Sequence, residues 1–337
     1  MPTVLETLLK THIRAHGPLT VEHYMQQCLY HPTHGYYTTG RNFSQTPPVD
    51  FTTAPELTPL FAYTLAEWVA AQWQTMGKPA IMPLIEVGPG RGTLMRDLLI
   101  HLQAHHPTLS LSIQPWLVEI SPQMTHHQHQ TLANFPHCQW ADKIPRTPEK
   151  AILIANELLD AFPIRQFLHT GGTWHERTVA LDEAGNLTFS HSPTPASLIL
   201  PKQPDGTIAE LNLQQTHWLQ TIPVNVETLL LCDYGAAPSS SITFTDTLQA
   251  LHAHQKVSPL HNPGETDLTT HVNFTAAMAE LNFETKTLED LAPFLLRHNL
   301  TDIALQHPLL QNSLQRLLHP AQMGTLFKVT CCTRTAR

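Results

Sequence analysis

The chain has 337 residues, of which 42% are hydrophobic and 14% charged. That is enough apolar surface to offset the entropy of ordering a backbone, which excludes a globally disordered protein. Its 19 Lys and Arg face 27 Asp and Glu, and a formal net charge of −8 repels a phosphate backbone, so no nucleic acid partner is expected.

The first stretch carries two helical patterns: Val4, Leu5, Leu8 and Leu9, then Val21, Tyr24, Met25, Cys28 and Leu29 after the Gly17-Pro18 break. Both apolar faces need a larger body to cover them, so residues 1–78 read as an amino-terminal helical cap. Thr52-Thr53-Ala54-Pro55-Glu56 leads into an amphipathic helix over about 57–73, with Thr53 and Glu56 spaced as a capping box and Pro55 as an alternative first helical residue. A strand over 81–87, a glycine loop over 88–92 and a helix over 93–104 follow. Further strands are expected over 116–120 and 151–155, with a helix over 121–132 between them. Residues 167–187 alternate as sheet hairpins around Gly171-Gly172 and Gly185. Prolines make 190–205 read as an irregular insertion. A buried strand over 229–232 delivers Asp233, Tyr234 and Gly235 to its carboxyl end, and helices over 275–281, 291–296 and 309–318 precede a strand over 326–329. Strands alternating with helices predict an α/β, doubly wound, mostly parallel sheet in a core over 79–337, with inserted α/β elements around 165–225 and 236–320.

The five cysteines, Cys28, Cys138, Cys232, Cys331 and Cys332, make no dense framework, which favours a reducing compartment. No apolar run reaches bilayer length, so no membrane insertion is expected. The expectation is a bacterial-type cytoplasmic enzyme, with an organellar one as the alternative. The 23 histidines form no short-spaced Cys/His set of the zinc-finger kind, and no metal ligands are assigned. The sequence does not indicate an oligomeric state.

Chemistry concentrates in Ile85-Glu86-Val87-Gly88-Pro89-Gly90-Arg91-Gly92-Thr93. Gly88, Gly90 and Gly92 let the main chain turn and approach a ligand that a side chain would obstruct; the alternative is a packing turn. A nicotinamide fingerprint would place its third glycine at Thr93, and the Glu86 carboxylate disfavours a diphosphate. Both points favour a compact nucleoside-sulfonium cofactor over NAD. Glu119, at the end of the next strand, is an acceptor for two ribose hydroxyls, or else a carboxylate capping the helix after Ser121. Asn156 and Glu157 end a third strand. Asp160 follows Glu157 at a spacing that sets two carboxylates on neighbouring turns of one helix, where they would hold a cationic acceptor or form a solvated helix start.

The ordered set Gly17-Pro18-Leu19-Thr20, His31-Pro32 through Gly35-Tyr36-Tyr37, Asp50 through Glu56, Glu86 through Met95, Leu117 through Pro122, Ala155 through Pro163, Asp233-Tyr234-Gly235 and Pro263 through Thr269 resembles the MidA/NDUFAF7 family over nearly the whole chain. The resemblance implies a Rossmann-like class I methyltransferase sheet and S-adenosyl-L-methionine as cofactor. It also implies methyl transfer to a protein substrate containing an arginine acceptor, and a role in respiratory complex assembly. By the same resemblance Gly88, Gly90 and Gly92 correspond to the cofactor loop, Glu119 to the ribose-facing acid and Asn156 to a pocket position. Thr52, Thr53 and Glu56 match a segment that closes over the cofactor. Glu157 and Asp160 are the candidates for catalysis, Glu157 first for orienting the guanidinium. Residues 241–255 depart from the family's more basic, glycine-containing pattern, which bears on target recognition. The alternatives are a non-catalytic assembly factor that keeps the fold and a small-molecule methyltransferase.

Overall fold

The computed structural model describes residues 2–39 and 53–334. Contacts sort the chain into two compact units. Unit one gathers Met1–Phe51, Leu159–Gln220 and Ala236–Glu280; unit two gathers Thr52–Leu158, Thr221–Gly235 and Leu281–Arg337.

Unit two is built on β1 (Met82–Val87), β2 (Ile113–Val118), β3 (Gln139–Ala141), β4 (Ala151–Asn156), β5 (Val226–Ala236), β6 (Thr285–Asp290) and β7 (Phe327–Thr333). They lie side by side in the order β3-β2-β1-β4-β5-β7-β6. The first five are parallel, and β7 runs antiparallel to both β5 and β6. Order 3-2-1-4-5 is the doubly wound arrangement expected from the sequence. Its direction reverses between β1 and β4, so ligands of such sheets bind beyond the carboxyl ends of these two strands. Every residue of β1 is buried, as are the first five of β4, the near-continuous burial of a parallel strand covered on both faces.

Four helices of this unit bear on the site: α1 (Ala54–Leu57), α2 (Pro59–Thr75), α3 (Thr93–His105) and α4 (Pro122–Thr131). Leu60, Phe61, Leu65, Trp68 and Val69 of α2 and Leu94, Leu98 and Leu102 of α3 share one core with Leu84, Ile152 and Leu230 of the sheet. The expected capping box is corrected here. Thr53 makes no side-chain cap bond, and the long helix begins at Pro59, where the Thr58 hydroxyl accepts from the Leu60 amide at 3.3 Å. Proline is suited to this first helical position because its missing N–H would have no intrahelical partner there.

In unit one, helices Val4–His16 and Val21–Tyr30 appear where the sequence places them. Leu5, Leu9, Ile13, Tyr24, Met25 and Leu29 bury their stripes against Ile164, Val179 and Leu268. Strands Arg165–Thr170, Thr173–Leu181 and Leu187–Pro195 form antiparallel hairpins. The last of these runs into the region expected to be irregular. It pairs on one side with Thr173–Leu181, and such an edge strand tolerates Pro193 and Pro195 because the missing amides break no second ladder. Among the described residues no helix is long and apolar enough to cross a membrane.

Candidate functional site

β1 ends at Val87, and the loop that Gly88 opens toward α3 is held by two backbone bonds. The Gly88 amide donates to Val118 O at 3.1 Å and the Gly92 amide to Pro89 O at 2.8 Å. Gly88, Gly90 and Gly92 have φ of +66°, +52° and +80°, a left-handed run that side chains resist. A Cβ on Gly88 would also lie 2.9 Å from Leu158 Cδ1. Gly92 is the N-cap of α3 and offers no side chain to its first turn. Glu56, on α1, reaches this turn: the Thr93 hydroxyl donates to Glu56 Oε1 at 2.5 Å.

Glu86 is 4% exposed and its Oε2 has no hydrogen-bond partner among the described residues. Burial pushes its carboxyl up to about 8, against a smaller opposing pull from the Met95 amide. Such an acid is held neutral at pH 7 until a cation approaches it.

The glycine loop and Glu119 are joined through one side chain. Gln128 on α4, fully buried, donates through Nε2 to Gly90 O at 2.7 Å and to Glu119 Oε2 at 3.0 Å, and its Oε1 accepts from Trp140 Nε1 at 3.0 Å. Glu119 Oε1 accepts from the Ser121 amide at 2.8 Å. Burial raises the Glu119 pKa, and the Ser121 and Gln128 bonds oppose the rise. An ionised carboxylate has about four acceptor positions, so the bonds from Ser121, Gln128 and the Ile120 amide do not fill it, and room is left for a sugar hydroxyl. Ser121, not Glu119, caps α4: its side chain accepts from Met124 N.

Across the switch point, Asn156 closes β4 with Oδ1 buried and unpartnered among the described residues, while its Nδ2 donates to Glu157 Oε1 at 3.2 Å. Glu157 has φ +50°, a strained conformation for a residue with a Cβ. Its Oε1 also accepts from the Ala54 amide at 3.2 Å, at the head of α1. Asp233, buried at the end of β5, fixes the next peptide: its Oδ2 accepts from Leu158 N at 3.1 Å and its Oδ1 from Tyr234 N at 2.9 Å. The expectation that Glu157 and Asp160 share one helix is corrected, because the left-handed Glu157 ends β4 without starting a helix. Asp160 instead sits in the 3-10 turn Leu159–Ala161 of unit one, buried, with its backbone oxygen accepting from Thr270 N at 3.0 Å.

Unit two therefore gathers Glu56, Glu86, the three glycines, Glu119, Asn156 and Glu157 around the carboxyl ends of β1, β2 and β4, with Thr53 beside Ala54; Thr52 lies outside the described residues. Gln128 was not singled out by sequence. It sits in a polar run that reads as solvated, and its one signal is a four-residue stripe with the buried Met124 and Leu132.

A family model described as "Putative S-adenosyl-L-methionine-dependent methyltransferase" matches residues 64–291. Among curated proteins, the zebrafish (Danio rerio) mitochondrial protein arginine methyltransferase NDUFAF7 is 30% identical, over 98% of this chain and 86% of its own. The Drosophila melanogaster mitochondrial homolog is 29% identical over 95% of this chain and 82% of its own. A Burkholderia thailandensis protein solved with bound S-adenosyl-homocysteine superposes with a TM-score of 0.84 at 28% identity, covering 98% of this chain and 92% of that one. The fold is that of a class I Rossmann-like methyltransferase. The cytoplasmic placement expected from the sequence is overturned by these relatives, whose names place them in the mitochondrion. The signs behind it, few cysteines and no bilayer-length run, hold for any reducing compartment and so never singled out the cytoplasm.

Proposed function

We propose, from the premise that this chain belongs to the S-adenosyl-L-methionine-dependent methyltransferase family, that it transfers a methyl group to the side chain of a protein arginine. The observation that carries the cofactor half is the buried Gln128 amide tying Gly90 to Glu119 at the carboxyl end of parallel strands. The arginine half rests on the relatives' names.

The residues present fit the cofactor. Glu119, with acceptor capacity left beside Ser121, Gln128 and Ile120, receives a ribose hydroxyl. Gly88, Gly90 and Gly92 admit it against bare backbone. Glu86 Oε2 and Asn156 Oδ1 are buried and, among the described residues, without partners, which suits a cationic, donor-bearing group. Glu56 holds the first turn of α3 through Thr93, with Thr53 and Thr52 in the adjoining segment. When bound, S-adenosyl-L-methionine supplies an electrophilic methyl carbon on its sulfonium sulfur.

Orientation of the acceptor is then the protein's main contribution, since a well-aligned pair needs no enzyme nucleophile. Glu157 aligns the guanidinium by charge-assisted hydrogen bonds. An arginine side chain is protonated at neutral pH and must lose one proton as its nitrogen is alkylated, so a carboxylate that can receive it is required near the acceptor. On the family resemblance alone, the proposal extends to a role in respiratory complex assembly.

Titration calorimetry with S-adenosylmethionine and S-adenosylhomocysteine tests the first half. Saturable binding is expected, weakened at least about 10-fold in Glu119→Ala through loss of a charged hydrogen-bonding partner. Folded protein that binds neither compound refutes the reading. Methyl-label transfer into a native protein fraction, read by mass spectrometry, tests the second half. Label on arginine, lost in Glu157→Ala while folding and cofactor binding persist, is expected. Label found only on small molecules, or unaffected by Glu157→Ala, refutes the acceptor or the residue respectively.

A further inference from the structure

Away from the glycine loop, a second group of side chains in unit two converges on a point. Glu67 of α2 presents Oε1 to two imidazoles at once: His101 Nε2 at 2.8 Å and His106 Nε2 at 2.9 Å. The three ligand atoms all lie within 4.8 Å of one another. His101 belongs to α3 and His106 is its C-cap, so the donors come from two neighbouring helices.

The cluster is prearranged. His101 is 4% exposed, and its ring is stacked on Tyr63 at 5.0 Å and on His105 at 4.4 Å between centroids, which fixes the direction of Nε2. Glu67 stands between the two imidazoles and supplies the one carboxylate oxygen of the set. The site also lies at the carboxyl end of α3, where the helix dipole favours a cation.

We propose that Glu67, His101 and His106 form a divalent transition-metal site of the zinc class, which fastens α2 to the carboxyl end of α3. Two imidazoles and one carboxylate are an accepted zinc donor set, with a water completing the tetrahedron. Ligands about 2.1 Å from a tetrahedral ion stand roughly 3.4 Å apart, so each nitrogen–oxygen pair opens by about 0.5 Å when the ion enters. That movement is within reach of His106, whose side chain is 25% exposed, and of Glu67 at 20%. His101 is eight residues from Thr93, about 12 Å along the helix axis. The ion therefore takes no part at the glycine loop and acts by stabilising the helix that carries it.

The test uses the full chain stripped with chelator and dialysed, then titrated with Zn2+ and separately with Co2+. One equivalent of Zn2+ is expected to bind and raise Tm, and Co2+ is expected to give the intense visible bands of a four-coordinate ion. Glu67→Gln keeps shape and hydrogen bonding, and His106→Ala removes a part-exposed ring. Both are expected to lose more than about 100-fold in zinc affinity, exceeding the effect of outer-shell changes, together with the Tm rise and the Co2+ bands. His217→Ala, which removes an exposed ring of unit one, is expected to retain all three. Wild-type protein that takes up no ion, or shows only the weak spectrum of a solvated Co2+, overturns the proposal. So does equal uptake by wild type and folded variants, which would assign the ion to surface histidines.

Discussion

The side-chain amide of the buried Gln128 satisfies three part-buried partners at once, so its removal strands all three. Gln128→Ala is expected to cost about 1–3 kcal/mol of stability by chemical denaturation, the usual penalty for orphaned buried polar groups, and to weaken cofactor binding measured by calorimetry. Unchanged affinity would separate Gln128 from the site. Glu86 makes a pH-dependent prediction. Its folded pKa of about 8 lies above its ordinary 4.5, so the folded state holds the extra proton between those values. This contribution to stability is complete below about pH 4.5 and is lost as pH rises through about 8, at no more than about 1.4 kcal/mol per pH unit. Glu86→Gln is expected to remove this part of the slope. If the cationic end of the cofactor meets Glu86, binding at pH 7 releases up to one proton in wild type and none in the variant. Calorimetry in two buffers of different ionisation enthalpy reads this directly, and equal proton release in both proteins would count against the assignment. The three glycines and Glu119 are legible in the sequence because residue type and strand-end position suffice to pick them out. Gln128 and the shifted acidity of Glu86 are not, because both arise from burial by residues distant in sequence.

At the level of elements, the loop between β1 and α3 depends on backbone that bends the left-handed way. Gly88→Ala is expected to cost about 1–2 kcal/mol from the positive φ alone, and its Cβ would push Leu158 aside. Reduced cofactor affinity with retained secondary structure is the expected outcome of calorimetry and circular dichroism; full affinity would mean the loop tolerates a side chain there. β1, β4, α3 and α4 are readable from periodicity because each has either a continuous apolar run or a capped stripe. β6 is not. Thr285-Lys286-Thr287-Leu288-Glu289-Asp290 is half exposed, carries a single large apolar residue and lies at the sheet edge, so it lacks the pattern of a buried strand. β7 was expected over 326–329 but continues to Thr333, because Cys331 and Cys332 still pair with both β5 and β6. The two histidines beside Glu67 were missed for a related reason: their third partner is 34 residues from His101, on another helix.

For the molecule as a whole, each compact unit is gathered from three separate stretches, and local sequence pattern carries no information about which stretches share a core. Non-local pairing of this kind slows folding, since loop closure precedes the contacts that reward it. A chain ending at Gly324, and so lacking β7, is expected to fail to give a cooperative thermal transition by calorimetry; a transition like the intact protein's would count against it. β6 comes earlier in the chain than β7 but reaches the sheet through it, by the register Thr285↔Thr333 to Asp290↔Lys328, while β7 bonds β5 on its other side. Assembly order is thereby inverted relative to synthesis order: β6 must wait, undocked, for a partner some forty residues downstream. A chaperone or protease acting on the nascent chain would meet β6 as a segment whose sheet partner has yet to be made.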